Sequence, residues 1–249
     1  MQHFFAPAAV SMLAKSHFPK TKKIMVENMT KKIFDVVRKS INETDWILSP
    51  TKEAMLKEVD ITQDSQFIGF NKKFDALDDT RIDKYYENVS NMKMTDSIAK
   101  NKATVMEGAK KVPEGGPEQL GPINLSSMRG TQMTISLGML EDYNFVEDRP
   151  SIFNYANTGR IIGHEIGHLW DKPEKFERFN DSTTKQSMDQ TAKCAIELYN
   201  KYNITVGVKI HLKYSSQFDQ IGGKAHNVNG IKTLGENIAD IGGLKVAYR

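Results

Sequence analysis

The sequence has little that would place it in a specialised structural class. One cysteine, Cys194, stands among 249 residues, so no disulfide framework can form within the chain. No apolar run reaches the roughly 18 to 20 residues that a membrane span requires. The 17 glycines and 8 prolines show no long-period repeat, which excludes collagen and low-complexity chains. We therefore expect a globular protein with one large domain or two small ones.

Charge of one sign is also scarce. Lys and Arg number 34 against 31 Asp and Glu, which leaves a formal net charge of +3. The densest cationic run, Lys20 to Lys23, has no interleaved aromatic residues and is typical of a helix surface rather than a nucleic-acid patch. We expect no nucleic-acid partner.

The first 20 residues do not resemble a secretory leader, although they are partly apolar. No positive region precedes the apolar stretch, and Pro7 and Ser11 interrupt it before Lys15. We expect a helix there, and the chain shows neither a signal peptide nor a membrane segment.

Glycosylation sequons are more frequent than chance, which gives roughly two in a chain of this composition. Six Asn-x-Ser/Thr sequons occur, at Asn28, Asn42, Asn88, Asn124, Asn180 and Asn203. This excess favours a secretory history and a glycoprotein. Taken alone, Cys194 indicates a reducing compartment or a small buried side chain, whereas beside these sequons it suggests a disulfide partner outside this sequence.

Apolar periodicity divides the chain into a helix-rich front and an α+β back. The expected elements are helices over 22–41, 49–59, 96–111, 184–200 and from Thr233 onward, a strand over 131–137, and a helix capped by Asn157 or Thr158. A Pro/Gly-rich linker covers 113–122. We expect a helical segment at 1–112 and a second domain at 123–249.

The chemistry of the chain is concentrated in residues 163–168, which read Gly-His-Glu-Ile-Gly-His. On a helix, His164 and His168 are spaced i and i+4, so both imidazoles reach one ion. Glu165 lies between them, where it can hold a water without filling the coordination shell. Zinc suits this geometry, and a catalytic zinc keeps one position open. The pattern predicts one Zn²⁺ per chain.

A third ligand has to come from elsewhere in the chain. His211, His226 and an acidic residue are all candidates downstream. Glu236 and Asp240 share one helix face, so Glu236 can complete the shell while Asp240 accepts the far N–H of a ligand histidine. A solvated acidic pair at a helix start is the alternative.

A further carboxylate stands three residues after the second histidine. Asp171 is either another partner of a ligand histidine or a surface residue before Pro173.

Two stretches resemble the neprilysin and endothelin-converting-enzyme family of zinc endopeptidases. Residues 159–168 read GRIIGHEIGH, and residues 226–248 read HNVNGIKTLGENIADIGGLKVAY. Weaker likeness includes 15–19, Trp46 and 124–140. The resemblance implies that the chain lacks the family's N-terminal anchor and about a hundred C-terminal residues, and that the partner of Cys194 lies in that tail.

The same resemblance implies a fold and a set of roles. The fold is α+β and predominantly helical, a thermolysin-like (gluzincin) catalytic domain fragment with a small antiparallel sheet. The implied roles are zinc ligation by His164, His168 and Glu236, general base for Glu165, a carboxylate that supports a ligand histidine for Asp240, and substrate binding for Asn124. Peptide substrates add antiparallel to the 131–137 strand. The implied location is the extracellular face of the plasma membrane or the secreted fraction.

Three functions remain open from the sequence. The first is a zinc metalloendopeptidase that hydrolyses peptide bonds through a metal-activated water with Glu165 as general base. The second is a catalytically impaired zinc-binding module that binds peptides or partner proteins. The third is a helical interaction protein without metal.

Overall fold

Helices form most of this computed structural model, which describes residues 2–68, 75, 77–89, 93, 95–109, 126–141, 143–205 and 225–249. The α-helices are α1 (Gln2–His17), α2 (Lys20–Asn42), α3 (Ser49–Ser65), α4 (Asp79–Tyr86), α5 (Ile98–Ala109), α6 (Ser151–Asn154), α7 (Arg160–Gly167), α8 (Ser182–Tyr199) and α9 (Leu234–Tyr248). The expected helices are therefore present. None of the described helices is long and apolar enough to cross a bilayer.

One hydrophobic core joins the front and back of the chain. On α2 the apolar residues that recur at helical spacing, among them Ile33, Phe34 and Val37, are buried. They belong to the same buried cluster as Ile162 and Ile166 of α7. The predicted metal-binding residues therefore lie on a helix whose opposite face is packed into the core. The division at 113–122 stays a prediction, because that stretch lies outside the described residues.

The strands form two small sheets. They are β1 (Phe67–Ile68), β2 (Ser126–Arg129), β3 (Gln132–Ile135), β4 (Asn203–Thr205) and β5 (Ala225–Asn227). The first sheet has the order β1-β3-β2, with β1 parallel and β2 antiparallel to β3, so it is mixed. Strands β4 and β5 form an antiparallel pair. The predominantly helical α+β class is confirmed.

The prediction that peptides pair with the 131–137 strand is wrong. The sequence predicts that peptides pair with residues 131–137, yet Thr134 and Ile135 of β3 pair with β1 on one side and with β2 on the other. A strand whose backbone groups are already paired on both sides cannot accept a peptide. Among the described residues, β2 has no strand on its outer side, so β2 is the edge strand.

The helix that carries the histidines begins earlier than expected. We expected Asn157 or Thr158 to cap it, but helical backbone starts at Ser151, directly after Pro150. A short π-helical segment, Tyr155–Gly159, connects α6 to α7 without a break. Asn154, not a capping residue, then anchors the start by exchanging hydrogen bonds with the backbone of Val146.

Helices α7 and α9 approach each other closely because their contact faces carry small residues. A Cβ on Gly167 would lie 3.1 Å from the Cα of Ala239, and Gly163 lies against Gly243. This approach places the acidic face of α9 opposite the histidine face of α7. The close approach of the two helix backbones therefore brings these acidic residues and the histidines together.

Candidate metal centre

Helix α7 presents His164 and His168 side by side. Their ring centroids are 4.6 Å apart and the rings are nearly perpendicular, at 86°. From α9, Glu236 Oε2 lies 3.3 Å from His164 Nε2 and 3.7 Å from His168 Nε2. The three residues therefore converge on one point, although His168 and Glu236 are 68 positions apart in the sequence.

The other ring nitrogen of each histidine is held by a carboxylate. His164 Nδ1 lies 2.9 Å from Asp240 Oδ1, and His168 Nδ1 lies 2.8 Å from Asp171 Oδ2. A carboxylate that accepts from Nδ1–H leaves Nε2 deprotonated and free to bind a metal. Both imidazoles are thus oriented with Nε2 toward Glu236.

This donor set fits zinc. One ligand atom from each of His164, His168 and Glu236 lies within 4.8 Å of the others. Two nitrogen or oxygen ligands at about 2.0–2.1 Å from a tetrahedral zinc are roughly 3.3 Å apart, close to the separations between Glu236 Oε2 and each Nε2. Three protein ligands leave a fourth position open.

Glu165 differs from Glu236 in being buried. Its side chain is buried, and its Oε2 has no hydrogen-bond partner among the described residues. Burial raises the pKa of the Glu165 carboxyl, although a hydrogen bond from Ser126 and the nearby His168 and His164 act in the opposite direction. A buried carboxylate with one free oxygen is suited to exchange a proton with a group that enters the site.

His168 and Asp171 form a charge-coupled pair. The hydrogen bond to Asp171 is the main cause that raises the pKa of His168. Burial acts to raise the pKa of Asp171, but hydrogen bonds from His168 and Lys175 outweigh it and lower that pKa. Lys175 Nζ lies 2.9 Å from Asp171 Oδ1 and also donates to the carbonyl of His168. The turn after α7 therefore holds His168 from two sides.

The structure brings together most of the residues that the sequence singled out. His164, His168, Glu236, Glu165, Asp240 and Asp171 all lie at this site. Asn124 and His211 lie outside the described residues, as does the side chain of His226.

Sequence reasoning missed Arg160, Lys175 and Ser126. Arg160 precedes His164 by four residues, a helical spacing that could have revealed it. Ser126 could not have been found, because strand register decides which residue of β2 faces Glu165.

Known proteins share this fold and have similar sequences. The chain superposes on the zinc metalloprotease Zmp1 of Mycobacterium tuberculosis in its open state, with a TM-score of 0.69 and 20% identity over 99% of this chain and 37% of that one. The two chains share this fold. Residues 128–249 match the model of peptidase family M13, and with the curated relatives this confirms the resemblance to neprilysin and endothelin-converting enzyme.

Curated relatives match over almost the whole chain. Mouse (Mus musculus) endothelin-converting enzyme-like 1 is 25% identical over 264 residues, which cover 98% of this chain and 30% of the relative. Neprilysin-2 of Drosophila melanogaster is 28% identical over 258 residues, which cover 96% of this chain and 30% of the relative. The chain thus spans about a third of the length of the curated relatives that it matches.

Proposed function

We propose that this chain is the metal-binding part of a zinc metalloendopeptidase. The observation that carries the proposal is the convergence of His164 Nε2, His168 Nε2 and Glu236 Oε2 beside the buried carboxylate of Glu165. The match of residues 128–249 to peptidase family M13 supports a peptidase. The substrates are then peptides.

In this proposal His164, His168 and Glu236 hold one zinc ion per chain. A zinc ion in such a site acts as a Lewis acid that polarises the scissile carbonyl and lowers the pKa of water. Asp240 and Asp171 keep the two imidazoles in the tautomer that presents Nε2.

Glu165 is the general base. Its free Oε2 takes a proton from the attacking water and then delivers that proton to the nitrogen of the leaving amine. Burial favours this exchange because it raises the pKa of the Glu165 carboxyl, so the carboxylate holds a proton more readily.

The peptide binds along the outer side of β2. The Ser126 hydroxyl contacts Glu165, which places the start of this edge strand beside the reacting group. An extended peptide added to an edge strand gains backbone hydrogen bonds and is held near the metal. Asn124, two residues before β2, fits the role of fixing the substrate backbone.

We further propose that the protein functions outside the cytoplasm as a glycoprotein. Asn180 is exposed, with a left-handed backbone (φ 50°) at the end of a 3₁₀ segment, Pro173–Phe179. That turn presents its side chain to solvent, and Asp181 and Ser182 complete the sequon. The location at the cell exterior or in the secreted fraction agrees with relatives named for endothelin-converting enzyme.

The experiment compares hydrolysis of a quenched peptide with a central hydrophobic residue by the zinc-loaded chain and by Glu165→Gln. We expect turnover in the first and a loss of at least about 100-fold in the second, because the proton acceptor is gone. Zinc content, measured by atomic emission, should be one ion per chain in both proteins. Glu174→Gln, an exposed glutamate after Pro173, is the matched control and should keep full activity.

Each other outcome favours a different function. The peptidase is contradicted if the unsubstituted chain and Glu165→Gln both fold, each bind one zinc and show no turnover. That result would favour a zinc-binding module that captures peptides. The absence of bound zinc, together with no effect of His164→Ala, would favour a helical interaction protein.

A further inference from the structure

Arg160 makes a second contact to the carboxylate that holds His164. Its Nη1 lies 3.0 Å from Asp240 Oδ1, and His164 Nδ1 lies 2.9 Å from the same oxygen. Arg160 and His164 are spaced i and i+4 on α7, so both side chains reach toward α9 from one face. A single carboxylate oxygen therefore joins an arginine to a candidate metal ligand.

The two histidines of the site have parallel arrangements. His168 is backed by Asp171, and Asp171 is backed by Lys175 at 2.9 Å. In the same way His164 is backed by Asp240, and Asp240 by Arg160. Each of the two histidines thus belongs to a hydrogen-bonded series of imidazole, carboxylate and cation.

We propose that Arg160 is a positioning residue of the metal centre, which fixes the Asp240 carboxylate so that His164 presents Nε2 firmly to the metal. The proposal rests on the zinc site proposed above. Arg160 does not contact the ligand atoms of the proposed site or the reacting groups. It acts only through Asp240.

Asp240 needs such support more than Asp171 does. The side chain of Asp171 is 6% exposed and is held by its surroundings, whereas that of Asp240 is 51% exposed. Among the described residues, Asp240 hydrogen-bonds only to Arg160 and His164. Without Arg160, the half-exposed carboxylate gains rotamer freedom and hydration, which its bond to His164 would have to overcome.

Arg160 also has an opposing effect, because its positive charge offsets part of the negative charge of Asp240 and so weakens the attraction of that carboxylate for the His164 N–H. The side chains of both Arg160 and Asp240 are more than a third exposed, so water screens this effect. Orientation should therefore outweigh charge withdrawal, and the net result of Arg160 is tighter metal binding.

The test measures the zinc dissociation constant by competition with a chromophoric chelator. Loss of a carboxylate that directly backs a ligand weakens metal binding about 10- to 100-fold, so loss of its supporting cation in Arg160→Met should weaken it roughly 3- to 10-fold. Arg160→Lys keeps a cation within reach and should recover most of the affinity. Arg38→Met is the matched control, because Arg38 forms a similar surface pair with Asp60 away from the site and should leave zinc affinity unchanged.

A double-mutant cycle shows whether Arg160 acts through Asp240. In an Asp240→Asn background, Arg160→Met should have little further effect on zinc affinity. Unchanged affinity in Arg160→Met, failure of Arg160→Lys to restore it, or the same loss in both backgrounds would each overturn the proposal. If the unsubstituted chain binds no zinc, the proposed function itself fails, and that result is distinct from these. Circular dichroism of every variant confirms the fold.

Discussion

Gly163 and Gly243 meet backbone to backbone where α7 crosses α9. A Cβ on Gly243 would lie 2.6 Å from both the carbonyl oxygen of Arg160 and the amide nitrogen of His164. These neighbours are backbone atoms of a packed helix and cannot rotate aside. The absence of a side chain at this crossing is therefore what allows Glu236 and Asp240 to reach the histidines.

Gly243→Ala should force the two helices apart and damage the metal centre. We expect a loss of about 1–3 kcal/mol in the free energy of unfolding, the usual effect of overpacking a close contact. Zinc affinity should fall as well, because Glu236 moves away from His164 and His168. Urea unfolding and chelator competition measure the two effects.

Gly242→Ala provides a matched control on the same helix. A Cβ on Gly242 meets no atom within 4 Å, so alanine should add helix propensity and raise the free energy of unfolding by about 0.5–1 kcal/mol. Equal behaviour of the two variants would contradict the role given to the helix crossing.

Asp171→Asn should weaken zinc binding while leaving the fold intact. The side-chain amide of the asparagine could still accept from His168 Nδ1–H, but it would lack the charge that strengthens the imidazole as a ligand and attracts Lys175. We expect affinity to fall toward the lower end of the 10- to 100-fold range typical of such residues. Competition with a chelator measures it. Asp189→Asn, on the exposed face of α8, is the control, and an equal loss there would contradict this role.

Much of the site could be predicted from the sequence because it depends on local helical spacing. His164 and His168 are one turn apart on any helix, and so are Glu236 and Asp240. The convergence of these two helices could be expected only from resemblance to a family, since no local rule fixes how α7 and α9 cross. The small residues at their contact faces allow this close crossing, but they do not by themselves predict it.

Features that depend on long-range pairing could not be predicted from the sequence. The strand at 131–137 has a clear alternating pattern, yet alternation does not tell a central strand from an edge strand. The partner β1 is two residues long and lies more than 60 positions away, at Phe67 and Ile68. The contact between Ser126 and Glu165 depends on the same register.

Glu58 of α3 should stabilise the turn that carries Asp171 and Lys175. Its carboxylate accepts from Trp170 Nε1 at 2.8 Å and from Arg178 Nε and Nη2 at 2.8 and 2.7 Å. Glu58→Ala removes the acceptor of Trp170 Nε1 and Arg178 Nε in a partly buried site, while Arg178 Nη2 keeps its bond to the carbonyl of Leu169. This loss should cost about 1.5–3 kcal/mol in the free energy of unfolding. Urea unfolding followed by tryptophan fluorescence measures this loss.

A second acidic residue of α3 separates this contact from an ordinary surface pair. Asp60 accepts from Arg38, but its side chain is 63% exposed. Asp60→Ala should therefore cost less than about 1 kcal/mol. If both alanine variants lose the same stability, Glu58 has no special role at the turn.

Asp181 should make the stability of the chain depend on pH in the acid range. It caps α8 by accepting from the Thr184 backbone N–H at 3.0 Å and also accepts from the hydroxyl of Thr51 at 2.6 Å. Thr184 Oγ1 in turn accepts from the backbone N–H of Leu48, which joins the starts of α3 and α8. Partial burial acts to raise the pKa of Asp181, but the hydrogen bonds that Asp181 accepts from Thr184 and Thr51 outweigh it and lower that pKa.

Since the pKa of Asp181 is lower in the folded than in the unfolded chain, the ionised carboxylate stabilises the fold. This contribution is fully present above the unfolded value of about 3.9 and is lost as the pH falls through the folded value. Asp181→Ala should therefore cost about 1 kcal/mol near neutral pH, the usual value of a helix cap, and progressively less below about pH 4. Urea midpoints of both proteins across this range measure the difference. Asp189 on the same helix is not a capping residue, so Asp189→Ala should differ little in stability from the unsubstituted chain. If the stability lost in Asp181→Ala stays constant into strong acid, the charge of the carboxylate is not what stabilises the cap.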